Sequence, residues 1–166
     1  MAATFRPYLD RLMSLRAALT DLRPAVEAGE PWPLAARFGA EPEASWGPPE
    51  ILAHVAEMLP YWYGQIESVL EGGTGPVPFG RSQEDPARIA AIGRNRTLSS
   101  AELFDRIESG IQPYWWLLPR LSEADLTHVG LHPRRGEMTI PEILDALVIG
   151  HAEGHVTQLR EALAAT

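Results

Sequence analysis

The chain has 166 residues, 45% hydrophobic and 22% charged, a composition typical of one globular domain over residues 1–166. Its formal net charge of −8 argues against a sequence-independent nucleic-acid binder and against a polybasic membrane-surface module, because both need a basic face. Cysteine is absent and all 14 basic residues are arginine. Disulfides, cysteine ligands, cysteine nucleophiles and lysine Schiff-base chemistry are therefore excluded.

Membrane and export signals are also missing from the sequence. No segment approaches the roughly 18 consecutive apolar residues that a spanning helix needs. The first 26 residues mix acidic and basic side chains into an apolar period, unlike a signal or transit peptide. We expect no membrane partner, no nucleic-acid partner and a cytoplasmic location.

The first predicted element is a long amphipathic helix. Its apolar residues recur at three- and four-residue steps from Phe5 to Val26. Pro24 should bend or shorten its last turns, and the helix should close near Gly29. Residues 29–46 contain three prolines and two glycines, which predicts a connection.

A second helix should begin at Pro48, because proline is favoured in a first turn where its missing N–H is not needed. It should end at Gly72, with a kink or a break at Pro60. Residues 72–83 are a second connection rich in glycine and proline, and residues 86–94 are predicted to form a short helix.

The third long helix is predicted from the capping-box spacing of Ser99 and Glu102. Its apolar stripe runs to Leu121, and Pro113 should bend it. Residues 126–138 are predicted to form a loop.

The fourth long helix should begin with a second capping box at residues 139–142 and continue to Leu163. The sequence contains no alternating period-two run of useful length, no internal repeat and no low-complexity tract. Four amphipathic helices must bury their apolar stripes against one another. The predicted fold is an all-α four-helix bundle with long connections.

Three histidines lie on the apolar stripes. His54 stands between Ile51 and Met58, so it points into the bundle with them, while His151 and His155 share one face of the fourth helix. Two ligands from one helix and one from another can build a metal site inside a bundle. Three imidazoles would leave an open coordination position, as in catalytic zinc sites. The alternative interpretation is a set of core or rim histidines satisfied by hydrogen bonds.

The remaining two histidines, His128 and His132, fall in a segment broken by glycine and proline. We expect them to be solvated loop residues, with a place at the rim of a substrate site as the alternative.

The segment 151–155 has only a superficial similarity to the zinc-protease helix. That motif places glutamate directly after the first histidine, where this chain has Ala152. Glu153 should face away from the histidines, about 200° around the helix from His151. A metalloprotease is therefore not expected.

Residues that support the histidines are harder to predict. Glu57 could lean toward His54, but a helix-surface glutamate is the expected interpretation. Glu50, Tyr61 and Gln158 lie one or two turns from a candidate ligand and could orient it, but an ordinary surface or core-edge position is the expected interpretation of each. No residue is assigned as catalytic.

Other features have structural interpretations. Arg94 and Arg96 could hold an anionic group, but a solvated face is expected. Core packing or a dimer interface best explains the aromatic residues Tyr61, Trp62, Tyr63, Tyr114, Trp115 and Trp116. No phosphate-binding loop, dinucleotide fingerprint or nucleophile elbow is present.

Taken together, residues 46–55, residues 136–144, the histidine pair and residues 158–160 resemble the DinB-like superfamily, in the same order along nearly the whole chain. This resemblance implies a four-helix bundle of the DinB/YfiT type and often a homodimer. It also implies a divalent metal held by three residues, which in this sequence are His54, His151 and His155. Members with known activity use a bacterial low-molecular-weight thiol such as mycothiol or bacillithiol. Because the mycothiol isomerase branch tends to have glutamate where His151 stands, this chain looks more like the bacillithiol-transferase side.

The leading hypothesis is a metal-dependent transferase that joins a cosubstrate thiol to a small electrophile. Zinc is the expected ion and nickel the alternative, since an all-imidazole set admits both. Two other hypotheses are a metal-dependent hydrolase and a non-catalytic, stress-related metal-binding dimer.

Overall fold

The structure is a computed structural model that describes residues 2–39, 43–73 and 75–165. Its helices are α1 (Arg6–Ala28), α2 (Pro48–Glu71), α3 (Pro86–Asn95), α4 (Ser100–Leu117), α5 (Ile140–Ile143) and α6 (Gly150–Ala164), with a π-helical turn at Leu144–Ile149. Short 3₁₀ turns lie at Ala3–Phe5, Glu43–Ser45, Leu118–Arg120 and Ala124–Thr127. Helices α1, α2 and α4 and the continuous helical segment 140–164 are the four long elements, which confirms the predicted all-α four-helix bundle.

Helix α2 is the central element. Every residue from Pro48 to Leu59 is buried, and the helix packs against α3, α4 and α6. Such all-round burial is typical of a helix enclosed by its neighbours rather than lying on the surface. The helix continues through Pro60, next to which the Tyr114 hydroxyl of α4 donates a 2.7 Å hydrogen bond to the carbonyl of Leu59.

The other prolines within the helices do not break them either. Helix α1 continues past Pro24 to Ala28, close to the predicted end. Helix α4 contains Pro113 and ends at Leu117, and the 3₁₀ turn that follows covers the rest of the predicted stripe. No helix among the described residues is long and apolar enough to cross a membrane.

The fourth helical segment is interrupted by the π turn. Its predicted capping box is present, since the Thr139 side chain accepts from the backbone N–H of Glu142. At the end of the turn, a Cβ on Gly150 would lie 2.1 Å from the carbonyl oxygen of Asp145. Only glycine can therefore occupy position 150, directly before His151.

The predicted loop over residues 126–138 is wrong in one respect, because it contains two strands. Strand β2 (Val129–His132) pairs antiparallel with β3 (Gly136–Thr139), and β1 (Val77–Pro78) adds to β2 in parallel. Each strand has at most four residues, too few for a period-two pattern to be recognised. This small sheet covers one end of the bundle beside α2.

Glu50 organises the connection that precedes α2. Its carboxylate is fully buried and accepts from the backbone N–H of Ala35 at 3.0 Å and from Arg96 at 3.2 Å. Arg96 also stacks on Phe38, with its guanidinium carbon 3.8 Å from the ring centroid. The prediction of a solvated Arg96 is therefore wrong, because a buried carboxylate 46 residues away in sequence pairs with it.

Truncating Glu50 should destabilise the fold. Glu50→Ala leaves the Arg96 guanidinium and the Ala35 N–H without their buried acceptor, so we expect the free energy of unfolding to fall by about 3 kcal/mol. Urea denaturation followed by circular dichroism measures the change. Glu71→Ala, at the exposed end of the same helix, is the matched control and should lower stability by less than about 0.5 kcal/mol. Equal losses in the two variants would contradict a structural role for Glu50.

Candidate metal centre

Three imidazoles meet between α2 and α6. His54 comes from α2, and His151 and His155 lie one turn apart on α6. The Nε2 atoms of His54 and His151 are 3.4 Å apart, and the three ring centroids are separated by 4.7 to 5.2 Å. The structure therefore brings together all three site residues predicted from the sequence.

A carboxylate that the sequence did not indicate completes the cluster. Glu43, in the 3₁₀ turn before α2, places Oε2 3.5 Å from His155 Nε2 and Oε1 3.9 Å from His54 Nε2. One ligand atom from each of the four residues lies within 4.8 Å of the others. Arg88 of α3 donates to Glu43 Oε1 at 2.8 Å and holds the carboxylate in place.

Hydrogen bonds on the far side of two rings determine which nitrogen faces the cluster. His54 Nδ1 lies 3.1 Å from Glu57 Oε1, and His155 Nδ1 lies 2.9 Å from Gln158 Oε1. Both partners are acceptor oxygens, so each Nδ1 carries the proton and donates it. The Nε2 lone pairs of His54 and His155 therefore point into the cluster.

The three imidazoles are uncharged at neutral pH. Burial lowers the pKa of His54 well below its ordinary value, and the charges of His155, Arg88 and Arg81 act in the same direction. Burial and the two neighbouring imidazoles lower the pKa of His151 to about 3. Burial also lowers the pKa of His155, although Glu43 and Gln158 oppose that shift. Neutral imidazole is the form that ligates metal ions.

The cluster has the properties of a cation site. His155 Nε2 is buried and has no hydrogen-bond partner within the described part of the chain. Its lone pair faces the Glu43 carboxylate, an arrangement that is repulsive unless a cation lies between them. Two nitrogens bound to one tetrahedral zinc ion at 2.0–2.1 Å would be about 3.3 Å apart, close to the 3.4 Å between His54 and His151. These residues fit a divalent metal.

Glu57 is a buried residue, so the expectation of a helix-surface glutamate is wrong. Arg81 donates to its two oxygens at 2.6 and 2.7 Å, and the Arg81 guanidinium stacks on Tyr61 at 3.7 Å from the ring centroid. Burial raises the pKa of Glu57, and Arg81 opposes this shift. The sequence could not show this burial, because the cation that permits it comes from the connection after α2.

The other residues considered as supports for the histidines have different partners in the structure. Gln158 contacts His155, so the expectation of an ordinary surface or core-edge position is wrong for this residue, and its amide also donates to the backbone carbonyl of Glu43. Glu50 is engaged with Arg96 and Ala35 instead, and Tyr61 supports Arg81. Glu153 points away from the histidines and pairs with Arg11 of α1 at 2.6 Å, as its helical position predicted.

The prediction that His132 is solvated is wrong. It lies in β2 with 5% of its surface exposed, because alternate residues of that strand face the bundle. Its ring packs against Phe79 and Trp62, at centroid distances of 5.5 and 6.2 Å. His128 lies just before the strand and is half-buried.

A cavity of about 360 Å³ lies beside the cluster. His54, His151 and Glu43 line it on one side, and the apolar side chains of Trp62 and Leu147 also face it. The rest of its lining is strongly polar and includes four arginines. A small molecule can therefore reach the imidazoles from this cavity.

No family model matches the chain, and no curated protein matches it. Among solved structures it is similar to YfiT from Bacillus subtilis, with 16% identity, a TM-score of 0.72, and coverage of 95% of this chain and 86% of that one. The chain has the YfiT fold. This likeness confirms the YfiT-type four-helix bundle that the sequence resemblance implied. YfiT itself is described as a probable metal-dependent hydrolase with an unusual four-helix bundle topology.

Truncating Glu57 should destabilise the YfiT-like bundle even without metal. Glu57→Ala leaves the largely buried Arg81 guanidinium and His54 Nδ1 without their shared acceptor. Breaking a buried pair in this way costs about 3–5 kcal/mol, which urea denaturation of metal-free protein would measure. Glu84→Ala is the matched control, because the Glu84 pair with Arg134 is mostly exposed and contributes less than about 1 kcal/mol. A loss for Glu57→Ala no larger than that of the control would rule out this role.

Proposed function

We propose that this chain is a divalent-metal-dependent enzyme in which His54, His151 and His155 hold the ion and Glu43 accepts a proton from the nucleophile. The observation that carries the proposal is the buried, unpartnered lone pair of His155 Nε2, which faces a carboxylate across a cluster of neutral imidazoles. Zinc is the proposed ion, with nickel as the alternative. When bound, the ion would lower the pKa of a thiol or water and polarise the electrophile.

The chain's own residues supply the remaining steps. Glu57 and Gln158 keep two imidazoles in the tautomer that presents Nε2. Glu43 lies beside the Nε2 atoms and supplies the proton acceptor that the sequence alone did not identify. Arg88 anchors that carboxylate, and Trp62 with Leu147 provides an apolar surface for the substrate.

Thiol transfer is the first proposed reaction. The chain contains no cysteine, so a thiolate must come from a cosubstrate, and the cavity is large enough for a small molecule. In this reaction Glu43 takes the S–H proton, the sulfur forms a bond to the electrophilic carbon, and the leaving group departs with its bonding electrons. The proposed partners are a bacterial low-molecular-weight thiol and a small electrophile.

Hydrolysis is the second candidate, favoured by the carboxylate beside the cluster. Glu43 can take a proton from water as well as from a thiol, and the structurally similar YfiT is described as a probable hydrolase. Metal-loaded protein tested with an electrophile panel plus bacillithiol or mycothiol, and with ester and amide panels without thiol, separates the two. Conjugate formation only with thiol supports transfer, and turnover without thiol supports hydrolysis. No turnover in either panel, with unfolding on metal removal, would indicate a structural site.

Metal content should depend on the fourth helical segment. We expect about one equivalent of zinc or nickel per chain in the wild type and less than a tenth of that in His151→Ala/His155→Ala, because one remaining imidazole cannot hold the ion. Elemental analysis after reloading and desalting measures this ratio. His128→Ala, which removes a histidine outside the cluster, should keep the full equivalent. Equal metal in the double variant and the wild type would exclude this site.

Glu43→Gln tests the proton acceptor separately from metal binding. The amide keeps the shape of the side chain but cannot take a proton, so turnover should fall about 10²- to 10⁴-fold while metal content stays near one equivalent. Glu71→Gln, at the exposed end of α2 and outside the cavity lining, is the control and should keep both. Loss of the metal together with activity would instead make Glu43 a ligand.

A further inference from the structure

The cavity beside the metal centre is cationic, although the chain as a whole is acidic. Arg81, Arg88, Arg134 and Arg135 line it, against the two carboxylates Glu43 and Glu84. Four of the chain's 14 arginines therefore surround one cavity in a protein with a formal net charge of −8. This concentration of positive charge calls for a specific explanation.

Two of these arginines are already paired with carboxylates. Arg81 is paired with Glu57 through both carboxylate oxygens. Arg88 is 5% exposed and donates to Glu43 and to the backbone carbonyls of Gly39 and Gln83. Their roles are explained by the architecture of the centre, so they are not free to bind an anion.

The other two arginines are available. Arg134 has only a 3.4 Å pair with Glu84, and the two side chains are 69% and 54% exposed. Among the residues that the structure describes, Arg135 has no ion pair. Glu41 is not one of these residues. Both lie in the tight turn between β2 and β3, which Gly136 closes with a φ of +75°. A short hairpin thus holds two uncompensated guanidinium groups at the cavity that contains His54 and His151.

The charge of the loaded centre makes this excess larger. The carboxylate of Glu43 is already paired with Arg88, so a divalent cation at the centre would add positive charge that the lining does not balance. Positive charges at short distance in a partly enclosed cavity repel one another unless an anion accompanies them. The reacting molecule is the component that can supply that anion.

We propose that Arg135, assisted by Arg134, binds a carboxylate or phosphate group of the substrate or cosubstrate, while Trp62 and Leu147 contact its apolar part. This assignment rests on the proposed function, because it places the anionic group on the molecule that reacts at the metal centre. Guanidinium groups bind such oxyanions through paired N–H donors. The substrate class is therefore a small organic anion, and the hairpin turn selects for its charge.

The test uses simple anions as probes. Isothermal titration calorimetry in low-salt buffer measures binding of inorganic phosphate and of succinate to the full chain, both metal-free and zinc-loaded, with uncharged succinamide as the matched probe. The variants are Arg135→Gln and Arg134→Gln/Arg135→Gln. Arg160→Gln removes an exposed arginine of α6 outside the cavity and is the control. All substitutions are at exposed positions, and melting temperatures confirm folding.

We expect the wild type to bind at least one of the two anions and not succinamide. The double variant should weaken this binding tenfold or more, which corresponds to the loss of a hydrogen bond between charged groups. Arg160→Gln should bind as the wild type does. Preference for phosphate or for succinate identifies the oxyanion. Equal binding by the double variant, or no anion binding by the wild type in either metal state, would overturn the proposal.

The two metal states distinguish this proposal from the proposed function. Arginine-dependent anion binding by a chain that takes up neither zinc nor nickel would support the anion site and contradict the proposed metalloenzyme. Stoichiometric zinc uptake without arginine-dependent anion binding would contradict the proposed anion site and would still support the proposed metal centre. Anion binding that appears only with zinc and persists in the double variant would place the anion on the metal alone, which also overturns the role of Arg135.

Discussion

Burial of the His54 and His155 imidazoles between α2 and α6 is the constraint on which the rest of the structure depends. A polar group taken out of water in a helical bundle must find a partner, or the fold loses stability. His54 Nδ1 donates a hydrogen bond to Glu57, and His155 Nδ1 donates one to Gln158. The buried Glu57 in turn needs Arg81, so one buried imidazole determines the positions of two further charged side chains.

The connections supply many of these partners. Glu43 precedes α2, Arg81 follows the strand after it, and Arg134 lies in the β2–β3 turn. The candidate ligands His54, His151 and His155 lie on helices, which hold their relative positions firmly. The bundle therefore sets the geometry of the imidazoles, and the long connections set the charge and shape of the space in front of them.

The sequence predicted the helices and the histidine cluster because both depend on local periodicity. The apolar stripes gave the four long elements, and the same stripes placed His54, His151 and His155 on the inner face. Glu43, Arg81 and Arg88 were not predicted, because their roles arise from contacts between segments far apart in the chain. Glu57 was misassigned for the same reason, since its burial depends on a partner 24 residues away.

The π turn shows a different limit of periodicity arguments. An uninterrupted helix was expected over the fourth segment, but the turn at residues 144–149 contains i→i+5 spacing, and its last three residues, 147–149, are all buried. In the helix that follows, His155 lies in the core, whereas His151 is only partly covered and lines the cavity. Any residue other than glycine at position 150 would place its Cβ against the carbonyl oxygen of Asp145, so the turn depends on this one residue beside the site. Both histidines follow the turn and lie one helical turn apart in the regular helix α6, with ring centroids 4.7 Å apart. The π turn therefore sets the direction in which the pair faces and leaves the spacing between the two histidines unchanged.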